Sequence, residues 1–117
     1  MFLTPADRVR EFEERGWWRG ESVDALTRRA VSQGGSSEAL VDPFNRKSLD
    51  GRDPERLTWE ALDERVDRLA SVLLSEGLRK DDIVLAQLPN TIDAVLLFLA
   101  CARLGAVLSP VAMPYRA

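Results

Sequence analysis

Histidine is absent from these 117 residues, and cysteine occurs once, at Cys101. Without an imidazole, neither histidine-based acid–base chemistry nor a nucleophile–histidine–acid triad can be built inside the chain. A zinc site would have to rest on carboxylates, an uncommon ligand set for that metal. A single cysteine excludes an internal disulfide and points to a reducing compartment, so a cytoplasmic location is expected. Basic excess is missing too: 16 Lys and Arg stand against 19 Asp and Glu, a net charge of −3. No nucleic-acid partner is expected, because capture of nucleic acid needs a positive footprint that displaces counterions. The opening residues lack a basic stretch followed by an apolar core and do not read as a signal peptide.

What is present is a globular composition, 45% hydrophobic and 30% charged, in a length that buries roughly two-thirds of its unfolded surface as one domain. The most apolar run is residues 87–111, "QLPNTIDAVLLFLACARLGAVLSPV". A membrane helix needs ~20 consecutive apolar residues. Asp93 and Arg103 interrupt this run, and Pro89, Gly105 and Pro110 divide it into strand, helix and strand. No membrane span is expected. The run reads as a βαβ crossover with its strands parallel in one sheet.

Thr4-Pro5 reads as a helix start, the hydroxyl capping and Pro5 taking the first helical position, with the helix running to Gly16. Ser22 is placed to cap a second helix, "QGGSS" ends it, and "EALVD" follows as a short strand stopped by Pro43. The polar stretch over residues 43–56 is expected to be an exposed, hairpin-like loop. Thr58 then caps the strongest helix, in which Leu62, Val66, Leu69, Ala70, Leu73 and Leu74 form one apolar stripe and Gly77 supplies the left-handed end. "IVLAQL" and "AVLSPV" are expected as strands, the first uninterrupted and buried on both faces. Either Asn90 or Thr91 is placed to cap the helix between them. The fold class expected is α/β, parallel βαβ layers with helices covering the sheet. Residues 1–36 form a helical lead-in, 37–59 short strands and an exposed loop, and 58–117 an α-β-α-β core.

Candidate chemistry is sparse. "GGSS" at 34–37 is the one stretch resembling a phosphate cradle, but a working cradle follows a strand and opens a helix, whereas this one follows a helix. It reads as a helix terminus and loop. Asp42 with "DGRDPE" lacks the alternating oxygen ligands of a calcium loop and reads as a solvated turn. Cys101 reads as a small buried hydrophobe with no base beside it. Trp17 and Trp18 mark either a contact patch or packing against the body. The residues nominate no catalytic, cofactor-binding or metal-ligating side chain.

The ordered series is nevertheless specific. Leu57-Thr58-Trp59 and Leu62 precede the long helix, and Gly77 follows it. Asp82-Ile83-Val84, Leu88-Pro89-Asn90, "ARLGAV" at 102–107 and Pro110 come next. This pattern resembles the N-terminal subdomain of the adenylate-forming superfamily, the acyl-CoA synthetases and AMP-dependent ligases, over nearly all of residues 20–117. "GWWRGES" and "SPVAMPYR" look most like the branch acting on aryl, cycloaliphatic or fatty carboxylates. Lys80-Asp81 stands where that family commonly has Pro-Gly, and the loop over 43–56 is longer than usual. The resemblance implies an incomplete N-terminal portion of a larger ligase fold that forms an acyl-adenylate and then an acyl-CoA. ATP, magnesium and coenzyme A are implied for the complete enzyme, and none is expected to bind this chain alone. The phosphate loop, the adenine and ribose motifs and the catalytic lysine are not in these residues, so no catalytic role is carried onto any of them. The partner implied is the remainder of the ligase fold, or a second copy through an exposed sheet edge, with a small carboxylic acid as substrate of the complete enzyme. Two other readings stay open: a non-catalytic interaction module that kept the subdomain, and a complete small nucleotide-binding α/β protein.

Overall fold

The structure is a computed structural model and describes residues 4–114. Its elements are α1 (Ala6–Glu14), α2 (Val23–Gly34), β1 (Glu38–Val41), α3 (Arg46–Asp50), β2 (Arg56–Thr58), α4 (Trp59–Ser75), β3 (Ile83–Ala86), α5 (Ile92–Leu104) and β4 (Val107–Pro110). The sequence around α4 explains its boundaries. Thr58 Oγ1 accepts the Ala61 amide at 3.2 Å, which satisfies one of the orphan donors of the first turn. At the other end the Gly77 and Leu78 amides return to the carbonyls of Leu74 and Leu73. That closure needs a left-handed residue, and Gly77 supplies it at φ 100°.

Leu62, Val66 and Ala70 recur every four residues along α4, and Ile92, Leu96 and Ala100 do the same along α5. The two stripes are buried together and, with Leu57 of β2, form the core. Leu40, Trp59, Leu69, Leu73 and Leu99 close its margins. Leu74 is exposed, so the sixth member of the expected stripe lies outside the contact. Cys101 is buried beside the core on α5, as its apolar neighbours require.

Two small sheets accompany the helices. β1 and β2 pair antiparallel, with an irregularity between Glu38 and Leu40. β3 and β4 pair parallel in a register from Ile83 opposite Val107 to Ala86 opposite Pro110. The parallel βαβ expectation is met, and the whole is an α/β arrangement of small sheets and covering helices.

Several local expectations need correction. β3 is not buried on both faces: Ile83 is 62% and Leu85 71% exposed, while Val84 and Ala86 are half-buried. An apolar run without alternation does not say whether a second layer lies on each side. Residues 43–56 are not wholly an exposed loop, since they carry α3 and the buried side chain of Arg46. Pro5 sits at the N-cap position of α1, with no side-chain cap, and the helix stops at Glu14 rather than Gly16. Trp17 and Trp18 do not pack into the core. They fold back on Phe12 through ring contacts of 5.7 and 5.0 Å and stay exposed.

Candidate functional site

Two arginines organise the polar interior. Arg46, 1% exposed, pairs with Asp42 at the end of β1, with Asp50 of its own helix and with Asp93 in the first turn of α5. Arg52 joins the same group, reaching Asp50 at 2.9 Å and Asp93 at 2.5 Å. Arg103 is 7% exposed and bonds Asp24 of α2 at 2.8 Å, Asp63 of α4 at 2.7 Å and Asp67 of α4 at 2.5 Å. Each planar guanidinium offers five donors in a fixed fork, which suits several carboxylates at once.

The electrostatics follow from those contacts. Burial raises the Asp42 carboxyl, but the Ile92 amide, Arg46 and the Glu55 amide outweigh it and hold its pKa below the ordinary carboxylate value. Asp24 is likewise raised by burial and lowered further by Arg103 and Arg28, with a net depression. Bonding to Asp42 raises the Arg46 pKa despite burial, and for Arg103 the three carboxylates override the cost of burial in the same direction. Both arginines therefore stay charged and paired with carboxylates. Burial pushes the Cys101 thiol up, away from nucleophilic character.

Asp42, expected as part of a solvated turn, is the capping residue of α5. Its Oδ1 accepts the Ile92 amide at 2.8 Å and its Oδ2 the Glu55 amide at 3.0 Å. Neither Asn90 nor Thr91 does this work: Thr91 holds the N-cap position, but its hydroxyl accepts no helix amide and donates instead to Asp93 and the Pro89 carbonyl, and Asn90 is exposed. A cap fifty residues away in sequence is invisible to local reasoning. Arg103 did leave a signal, because an arginine in an otherwise apolar helix must find acids when it is buried. Arg46 left none.

The "GGSS" stretch is structural, as expected of a helix terminus. A Cβ on Gly34 would lie 2.0 Å from Trp59 Cδ1, and Gly35 adopts φ 49°. Its carbonyls are spent on α4: the Glu60 amide bonds Gly35 O and the Trp59 amide bonds Ser37 O, both at 3.1 Å. Ser22 fills the same role at α2 through the Ala25 amide. The N-termini of α2, α4 and α5 are thus occupied by the chain's own acceptors.

The charged groups gathered on Arg46 and Arg103 bond one another within the chain and form no open cradle for a phosphate. Phosphate recognition draws on free amides or uncommitted cations; here the Ala25, Ala61 and Ile92 amides and the two buried guanidiniums bond acceptors of the chain itself. Among the described residues no group of three His, Cys, Asp or Glu is placed to hold a metal ion; the acids that do converge enclose arginine instead. A recess of about 280 Å³ beside the α5 N-terminus is lined by Leu40, Val41, Asp42, Pro43, Asn90 and Val95. Among the described residues no helix is long and apolar enough to cross a membrane.

A parallel strand–helix–strand unit, capped from a preceding antiparallel pair and covered by two helices, defines the class: a layered α/β part whose buried arginines pair with carboxylates of the chain itself. Comparison with known proteins gives its family. Residues 27–117 match the model of the AMP-binding enzyme family. The chain belongs to that family and corresponds to an N-terminal portion of the adenylate-forming fold. It is 36% identical over 94% of its length to a salicylyl-CoA synthase / salicylate adenylyltransferase from Streptomyces sp, covering 18% of that protein. It is 32% identical over 88% of its length to a salicyl-AMP ligase / salicyl-S-ArCP synthetase from Mycobacterium tuberculosis, covering 17% of it. The apo structure of MbtA from Mycobacterium smegmatis superposes with a TM-score of 0.79 at 30% identity, over 99% of this chain and 20% of that one. The chain thus spans about a fifth of the relatives it matches.

Proposed function

We propose that this chain is the N-terminal subdomain, over residues 1–117, of an ATP-dependent ligase that activates an aryl carboxylic acid. In the assembled enzyme a carboxylate oxygen bonds the α-phosphorus of ATP as pyrophosphate leaves. A thiol, of coenzyme A or a carrier protein, then bonds the acyl carbon as AMP leaves. The residues described here perform neither step. Their part is to hold α4, α5 and the β3–β4 pair as a preformed layer on which the remainder of the fold is built. The observation that carries this reading is the match, over 94% and 88% of the chain, to two proteins whose names specify salicyl activation.

ATP–pyrophosphate exchange tests it in the product of the reading frame that carries this chain. Salicylate and benzoate are expected to support exchange and octanoate is not; exchange with octanoate alone would move the assignment to fatty acids. Reading the DNA after the Ala117 codon gives an earlier answer, since a Ser/Thr/Gly-rich loop ending in lysine is expected there. Taken alone, the 117-residue chain is expected to bind neither ATP nor CoA measurably and to self-associate. Micromolar ATP binding to a monomer, seen by isothermal titration, would contradict that.

A further inference from the structure

We propose that residues 43–55 form a strap docked on α5 by one buried arginine and tied at its far end to α4 by the Glu55–Arg65 pair, able to detach from α5 and re-dock while the α4–α5 core stays folded. The strap contributes no residue to the hydrophobic core. Its large apolar side chains point away: Phe44 is 95% exposed, and Leu49 is exposed as well. What ties it to α5 is polar. Arg46 and Arg52 reach Asp93, and Asp42, at the root of the strap, takes the Ile92 and Glu55 amides. Arg46 is the one side chain of the strap buried in this contact.

Such an anchor works as a latch for two reasons. The desolvation of a buried ion cluster offsets much of its Coulomb attraction, so docking fixes a position more than it adds stability. Arg46 Nε is also buried and donates to no group among the described residues, so the cluster is not fully satisfied. Apolar burial, which resists local opening, is concentrated in α4 and α5 and missing from the strap. Asp42, which accepts the Ile92 amide, is itself paired with Arg46, so detachment removes the cation that holds this acceptor in place. Strap release is therefore coupled to loosening of the first turn of α5 and of the β3–α5 connection.

Hydrogen exchange on the whole chain, read at the Glu55, Ile92 and Gly51 amides against those of α4, tests the latch. In the wild type the strap amides and Ile92 are expected to exchange at least about tenfold faster than mid-α4 amides, with little dependence on added denaturant. Exchange of strap and α4 at one rate with one denaturant slope would show that the strap belongs to the cooperative core and would overturn the proposal. In Arg46→Met, which leaves Asp42 without its cation and Asp93 with Arg52 alone, strap exchange and tryptic cleavage after Lys47 and Arg52 are expected to rise about a hundredfold. Mid-α4 exchange is expected to change less than about threefold, and parallel acceleration of both regions overturns the idea. If Arg46→Met does not fold, Asp93→Asn, which keeps the buried Asp42 pair, is expected to give a smaller rise at the same amides only.

Discussion

The α4–α5 contact and the β3–β4 pair use the same apolar residue types to different ends. Between α4 and α5 the apolar side chains meet each other, and the acids and bases at the margin are gathered onto Arg46 and Arg103. In the β3–β4 pair, equally apolar side chains at Ile83, Leu85 and Val107 face outward. The difference teaches that hydrophobicity records what a side chain seeks, while burial records what the rest of the fold supplies. An exposed apolar patch of this kind marks a contact to be made, and a two-stranded parallel pair is seldom left uncovered.

The comparison can be broken by substitutions graded by region. Leu96→Ala removes a buried side chain from the α4–α5 contact and is expected to cost about 2–5 kcal/mol, read from the denaturant midpoint. Arg103→Met removes the hub joining α2, α4 and α5, with an expected cost of about 1–3 kcal/mol because two of its acids keep substantial solvent contact. The pH profile sharpens this case. Asp24 has a depressed pKa in the folded state, so its contribution is fully present above the unfolded value of about 4 and is lost as pH falls through the folded value. Thermal melts of the wild type should therefore be level from pH 7 to 5 and fall steeply below about pH 4, with a shallower fall in Arg103→Met. An identical acid limb in both proteins would detach the hub from the acid sensitivity.

Gly34→Ala places a methyl group against the Trp59 ring and is expected to cost about 1–3 kcal/mol. A smaller residue at 59 should restore much of it, as a double-mutant cycle would show. The smallest effect on stability is expected on the open face. Leu85→Lys should change the unfolding free energy by less than about 0.5 kcal/mol yet reduce self-association, measured by sedimentation. A large stability loss at Leu85 would mean that this face is already covered and would erase the contrast between the two regions.

Several features could be read without coordinates because their causes are local. Thr58, Ser22, Gly77 and Gly105 act on backbone groups within a few residues, so caps and ends at α4, α2 and α5 follow from type and spacing. The unusual Lys80-Asp81 pair is explained the same way. Asp81 adopts φ 70°, the conformation for which glycine is the ready choice. The docking of the strap on Asp93 and the α5 cap from Asp42 were not legible, because each depends on groups brought together from distant parts of the chain.

The amino-acid order by itself determined the alternation of helix and strand, the apolar stripes of α4 and α5 and the parallel pairing around the crossover. All of these arise from periodicity and from turn residues acting over a few positions. Tertiary structure alone decided that Asp93 would join Asp42 and Asp50 at Arg46, that aspartates of α2 and α4 would meet Arg103, that a loop carboxylate would cap a helix fifty residues on, and that one side of β3–β4 would face outward. Charge pairing and burial depend on which surfaces meet in space, and sequence distance does not encode that.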